Sequence, residues 1–301
     1  MTAPPDNDVL WARALVKTYR GAPALRGVSL GVREGEILAV TGPRGAGKTT
    51  LLGCLAGRTR PDSGEVWFGD AELHALPSAV RDRLRLDRFA WIGGEAGLVP
   101  ELTVRENTAL PLLLKGVPCR TARTTAQEWL ERLEVADCAR RRPARLNRPQ
   151  AQRVALARAL AGAPEVLFAD EPTAPLHLAD RVQLLRTLTA AARTHRITVL
   201  LATHDPDVAA HADRVVELVD GFRAPGTDTD TVPAAPAAPS SASDAEPVPG
   251  AEPVPGAEPV PGAEPVPGAE PVPDAGHVPD AGPVADAEPA DPVAAKGSSS
   301  C

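Results

Sequence analysis

The sequence has no run approaching the ~20 consecutive apolar residues that a helix needs to cross a bilayer. If the protein serves a membrane process, another chain is expected to do the spanning. The opening residues, MTAPPDNDVL, have neither a basic start nor an apolar stretch, so no leader segment is expected there. Cysteine is scarce and unpatterned. Cys54, Cys119, Cys138 and Cys301 show no CxxC or other metal-ligand spacing, and reduced thiols in a cytosolic protein are the expectation. Strong basic charge is missing as well. From Pro225 onward there are thirteen acids and one base, Lys296, a net −12. The whole chain carries −7, which leaves +5 for residues 1–224, too weak to call for nucleic acid as a partner.

What is present divides the 301 residues in two. Hydrophobic residues make up 43%, enough for a substantial core, whereas 33 prolines are too many for one ordinary domain and concentrate near the C-terminal end. There the hexapeptide AEPVPG starts at Ala245, repeats at Ala251, Ala257 and Ala263, and then decays. Proline at every second or third position blocks helix and sheet alike, so residues 225–301 read as an extended, disordered acidic tail. From about Val9 to Phe222, by contrast, strand-like and helix-like runs alternate, as in an α/β domain. Glu36–Thr41, Val166–Ala169 and Ile197–Ala202 read as buried strands, Thr49–Ala56 as a helix, and Leu110–Ala161 as a helical region. Each of the three strands runs directly into a polar motif. A parallel sheet would place all three motifs along its carboxyl edge, where ligands bind.

The first motif is Gly42-Pro43-Arg44-Gly45-Ala46-Gly47-Lys48-Thr49, which fits GxxxxGK[ST] between a strand and a helix. Glycines let successive backbone N–H groups turn toward phosphate oxygens, and the helix that follows adds its positive end. Lys48 is placed to reach the β- and γ-phosphates, Thr49 to ligate Mg²⁺, and Thr50 to contact the α-phosphate. The second motif is Asp170-Glu171. Two adjacent carboxylates after a buried strand are costly unless a cation or a reaction uses them. Asp170 is the candidate Mg²⁺ ligand and Glu171 the group that polarises the attacking water. The third is His204, placed to contact the γ-phosphate, although a lone histidine after a strand is more often structural.

This order of phosphate loop, helical region, DE pair and terminal histidine resembles the ABC transporter ATPase family over roughly Val9 to Phe222. The tract QRVALARALAGAPEVLFADEPT resembles the family throughout. PDSGEVWFGD resembles its turn into an antiparallel β-subdomain, and Tyr19 in VKTYR stands where the family stacks an aromatic ring on adenine. LTVREN followed by ALPLLLKGV is similar to the macrolide-export and lipoprotein-release branch. The resemblance implies an α/β P-loop NTPase over residues 9–224, with a RecA-like parallel core sheet, an antiparallel β-subdomain and an α-helical subdomain. It implies ATP and Mg²⁺ as cofactors, hydrolysis, and a membrane permease as partner. It also implies a place on the inner face of the cell membrane, and it leans to export. In the family two ATPase domains close head to tail, each ATP lying between the phosphate loop of one and the signature motif of the other.

Several partner-facing positions depart from that pattern. The signature reads Leu146-Asn147-Arg148-Pro149-Gln150. Pro149 has no N–H to donate and Arg148 adds bulk where close approach is needed, while Asn147 can still cap a helix. The family's Mg²⁺-proximal glutamine aligns with Gly94, and Pro175-Leu176-His177 lacks the carboxylate that normally links the two sites. The groups expected to bind this chain's own ATP and Mg²⁺ persist apart from Gly94, while those offered to a partner's ATP are altered, so a heterodimer with an ordinary-signature subunit is favoured over a homodimer. A low-activity regulatory or assembly module stays open as the alternative.

Overall fold

The computed structural model describes residues 8–225, together with the backbone of Thr229–Asp230. Almost all of the acidic tail expected at 225–301, repeats included, lies outside the described residues. In chain order the elements are β1 (Asp8–Tyr19), β2 (Ala22–Arg33), β3 (Ile37–Thr41), α1 (Lys48–Leu55), β4 (Ser63–Phe68), β5 (Ala71–Glu72), α2 (Ser78–Arg88) and β6 (Phe89–Gly93). Next come α3 (Val104–Leu114), α4 (Cys119–Arg132), α5 (Arg148–Ala161), β7 (Val166–Asp170), α6 (Leu178–His195), β8 (Thr198–Ala202), α7 (Pro206–Ala209), β9 (Arg214–Val219), β10 (Phe222–Arg223) and β11 (Thr229–Asp230).

One sheet is antiparallel, in the order β2-β1-β4-β5. The other runs β10-β9-β3-β8-β7-β6, with the four pairings among β9, β3, β8, β7 and β6 all parallel and β10 and β11 antiparallel to β9. The fold is therefore the α/β P-loop arrangement expected, with a parallel core and a separate antiparallel sheet. Strands β3, β7 and β8 are short, continuous apolar runs because both of their faces are covered. Period-2 alternation divides them between two cores. Leu38, Val40, Phe168 and Leu200 pack with α1 and the antiparallel sheet. Ile37, Ala39, Leu167 and Leu201 pack with α5 and α6. Phe168 is completely buried, and its truncation to alanine should cost about 3–5 kcal/mol.

The helical region predicted for 110–161 resolves into α3, α4 and α5. Small side chains let α3 and α4 approach closely, at Ala109, Ala122 and Ala126. Helix α5 belongs to both parts: its Val154, Ala155 and Leu156 are in the core under the parallel sheet. Helix α3 starts at a capping box, in which the Thr103 side chain accepts from Glu106 N and the Glu106 carboxylate accepts from Thr103 N. Next to it, fully buried Asn107 accepts from Val99 N at 2.7 Å and donates to Val99 O and Leu102 O. That amide fastens the connection between β6 and α3 to the helical layer.

Candidate functional site: phosphate loop, carboxylate pair and histidine

Strands β3, β8 and β7 are immediate neighbours, so their three motifs emerge side by side at one carboxyl edge. After β3 the chain turns through Gly42, Gly45 and Gly47, with φ of +137°, +85° and +101°. At two of these no side chain fits. A Cβ on Gly42 would lie 2.1 Å from Leu218 O, and one on Gly47 would lie 2.3 Å from Ala24 O. Gly47 is the N-cap of α1 and no side chain caps that helix, which leaves its first-turn N–H groups for an anion.

Lys48 is buried, and its ammonium donates to Gly42 O at 2.8 Å and Pro43 O at 3.0 Å. The Thr49 hydroxyl donates to Asp170 Oδ1 at 3.1 Å. Burial is the main cause that lifts the Asp170 carboxyl above its ordinary value. Glu171 adds to the rise, while the Thr49 hydrogen bond, Lys48 and Arg58 oppose it. Glu171 adopts the left-handed conformation, φ +50°, unusual for a non-glycine residue and typical of positions held for function. Its N–H donates to Ala202 O at 2.9 Å, fastening the turn to β8. His204 Nδ1 meets Glu171 Oε1 at 2.8 Å, and Lys48 Nζ lies 3.7 Å from the same oxygen.

Lys48, Thr49, Glu171 and His204 share a cleft of about 320 Å³. Of the residues singled out from the sequence, Arg44, Gly45, Gly47, Lys48, Thr49, Thr50, Glu171 and His204 line it. Gly42 and Pro43 line an adjoining hollow with His204. Ala46 is buried within the loop, its carbonyl accepting from Gly221 N. Tyr19 does not line the cleft; it is exposed at the end of β1, with Lys17 Nζ 5.6 Å from its ring centroid. Asp170 is brought to the site through Thr49. Thr49 and Asp170 offer only oxygen atoms, which suits a hard cation, and among the described residues no cluster of three or more His, Cys, Asp or Glu makes a metal cage. A cation here would take its remaining ligands from phosphate and water, and Mg²⁺ fits that pattern.

At the altered signature, Asn147 is the N-cap of α5. Its Oδ1 accepts from Gln150 N at 2.9 Å, and Pro149 stands in the first turn. The helix start is intact although the glycines are gone. Arg140, Arg141, Arg142, Arg145 and Arg148 are all exposed around it, and none joins an ion pair among the described residues. His177 opens α6 without a capping bond. Gly94 faces the catalytic turn, since a Cβ there would stand 3.2 Å from Glu171 O.

Sequence reasoning passed over three residues that fasten this edge. Asn107 is one. Arg158 donates to Ala96 O and Gly97 O, its pKa lowered by burial. Gln152, 1% exposed, donates to two carbonyls beside the site. The available signal was a polar side chain inside an otherwise Ala/Leu/Val helical face.

A parallel sheet with a glycine loop after one strand, and an acid pair and a histidine on its neighbours, defines a P-loop nucleotide hydrolase. Comparison narrows the class. The ABC transporter family profile matches residues 25–174. The lipoprotein-releasing system ATP-binding protein LolD of Paramagnetospirillum magneticum is 43% identical over 202 residues, covering 66% of this chain and 88% of LolD. The macrolide export ATP-binding/permease protein MacB of Marinobacter nauticus is 36% identical over 199 residues, 66% of this chain and 31% of MacB. The post-hydrolysis dimer of the ATP-binding cassette MJ0796, bound to ADP and Pi, superposes with a TM-score of 0.68 at 32% identity, covering 71% of this chain and 96% of that one. The chain belongs to the ABC transporter ATP-binding family, and it is an ATPase of that family.

Proposed function

We propose that this chain binds and hydrolyses ATP to energise a separate membrane permease, acting in export from a peripheral position on the inner face of the membrane. The observation that carries the ATPase chemistry is the convergence of Lys48 and His204 on one oxygen of Glu171. The likeness to LolD and MacB supports the export-type permease. Among the described residues no helix is long and apolar enough to cross a membrane.

The loop amides from Gly42 to Thr49 and the α1 terminus bind the phosphates, with Lys48 leaving its loop carbonyls for phosphate oxygens. Thr49 and Asp170 would hold Mg²⁺, which would neutralise phosphate charge there. Glu171 orients the attacking water and takes up its proton, and His204 fixes the carboxylate that does so. Thr50 contacts the α-phosphate, and Tyr19 stacks on the adenine once nucleotide and loop are in place. Residues 9–224 are the ATP-binding domain, and 225–301 an appendage that the nucleotide site does not need.

The partner is a second ATP-binding subunit, and a heterodimer fits best. Apart from the bare Gly94, this chain keeps what its own ATP needs, whereas Arg148 and Pro149 stand where a partner's ATP would meet glycine amides. Such a partner supplies an ordinary signature opposite this phosphate loop, and the second site binds ATP but turns it over slowly. A second reading, a regulatory module that closes on ATP with little hydrolysis, is favoured by Pro149 and by the bare Gly94.

The experiment compares Mg-ATP hydrolysis by the full chain alone, by Glu171→Gln, and by the chain reconstituted with a LolD- or MacB-type permease partner. The motor reading expects weak turnover alone, strong stimulation by the permease, and loss of both in Glu171→Gln. Fast turnover by the homodimer would remove the case for a dedicated partner subunit. Absence of permease stimulation, with ATP retained, would favour the module.

A further inference from the structure

Gln152 sits where three parts of the site meet. It lies on α5 one helical turn beyond Arg148, so the two residues share a face of the helix. Its side-chain nitrogen donates to Gly93 O at 2.6 Å and to Pro172 O at 2.6 Å. Gly93 ends β6 and precedes Gly94; Pro172 directly follows Glu171. One amide therefore ties together two connections that are far apart in sequence. Burying a primary amide is tolerated when its N–H groups find acceptors, and both N–H groups are used here.

The turn that Gln152 grips is the one with the unusual backbone. Glu171 is left-handed, its N–H is held by Ala202 O, and its carbonyl accepts from Ala174 N at 3.1 Å. Gly94 packs against that same carbonyl but has no side chain with which to bond it. Main-chain groups thus fix the turn on the β8 side, and Gln152 fixes it on the α5 side.

We infer that Gln152 is a positioning residue for hydrolysis, linking the first turn of α5 to the Glu171 turn and to the end of β6. Displacement of α5 at Arg148 and Pro149 moves the Gln152 backbone, and the two carbonyls it holds move with it. Position 94 carries no side chain to transmit that movement, so the link runs through Gln152. The inference rests on the ATPase reading above and adds to it the route by which α5 reaches the catalytic carboxylate.

The test uses the full chain with labelled Mg-ATP under single-turnover conditions. Gln152→Met keeps length and apolar volume but has no donor. The rate is expected to fall about 10- to 100-fold, the size of effect that small misplacement of a catalytic group produces. ATP retention should change less than about twofold, because the phosphate loop is untouched, whereas a merely structural role would weaken both together. The same substitution in a Glu171→Gln background should change the residual rate little, since a group acting through Glu171 has nothing left to position. An unchanged rate in Gln152→Met, an equal fall in both backgrounds, or a parallel loss of ATP retention would each overturn the inference. If hydrolysis by the native chain proves indifferent to Glu171→Gln, the ATPase reading fails and takes this inference with it. Glu171-dependent hydrolysis that survives Gln152→Met removes the inference alone.

Discussion

His204 Nδ1 and Glu171 Oε1 are 2.8 Å apart, and Lys48 Nζ approaches that same oxygen to 3.7 Å. Both contacts fall on Oε1, so Oε2 is the oxygen left to face a water. A histidine whose Nδ1 meets a carboxylate carries its proton on that nitrogen, leaving Nε2 as an acceptor when the ring is neutral. His204 therefore acts on Glu171 as well as on the space above it.

That geometry gives the first prediction. His204→Ala should lower the single-turnover hydrolysis rate about 10- to 100-fold, the scale of a misoriented catalytic group. Retention of labelled ATP should stay within about twofold, because the loop and α1 do the binding. A mutant that hydrolyses at the native rate would show that Ala202 and Lys48 suffice to hold Glu171.

A second prediction concerns the loop. At Gly47 the backbone is left-handed and a Cβ would lie 2.3 Å from Ala24 O, whereas at Gly45 it is left-handed with open space around it. Gly47→Ala should therefore abolish ATP retention and destabilise the domain, conformational strain alone costing about 1–2 kcal/mol. Gly45→Ala bears a similar strain without the clash and should retain ATP measurably. Thermal melts and filter retention on the pair check this. Equal behaviour of the two would place the sensitivity in backbone conformation and not in the approach to Ala24.

The sheet and the phosphate loop were legible because they rest on local rules. Continuous apolar runs such as ILAVT and VLFAD announce strands buried on both faces, and glycine spacing announces the loop. The strand bounds read from sequence differ from β3, β7 and β8 by one residue at one end, as fraying ends do. The bonds that position Glu171 were not legible. Gln152 and Gly93 are 59 residues apart, and Ala202 and Glu171 are 31 apart, so only the crossover topology brings them together. The left-handed Glu171 left no mark in its residue type. Tyr19 was read by resemblance alone, and the fold leaves it exposed outside the phosphate cleft.

The surviving cap at the altered signature gives a third prediction. Asn147 and Gln150 satisfy each other's backbone N–H groups at the start of α5. Asn147→Ala should cost about 1 kcal/mol. For a domain of this size that lowers the melting temperature by about 2–4 °C. Nucleotide retention by the chain's own loop should be unaffected, because α5 lies across the sheet from α1. Unchanged melting would mean that Pro149 already fixes the helix start without help from the cap.

The last prediction follows from the charge state of Asp170. Burial, the largest cause, and the neighbouring Glu171 raise its carboxyl above the ordinary 3.8, against the pull of Thr49, Lys48 and Arg58. A raised value means that the folded chain holds this proton more tightly than the unfolded chain does. Stability from the group is therefore fully present below its ordinary value and is lost as pH climbs through the raised one. At pH 7 the ionised, half-buried carboxylate is a standing cost that the fold carries for the sake of the site. Asp170→Asn keeps an acceptor for Thr49 and removes the charge. Without nucleotide it should melt above the native chain at pH 7. The gap should close as pH falls toward 4. Magnesium-dependent hydrolysis should fall at least about 100-fold in the same variant. Melting curves from pH 4 to pH 8 decide the matter: a gap that widens as pH falls would mean that Lys48 and Arg58, not burial, govern this carboxylate.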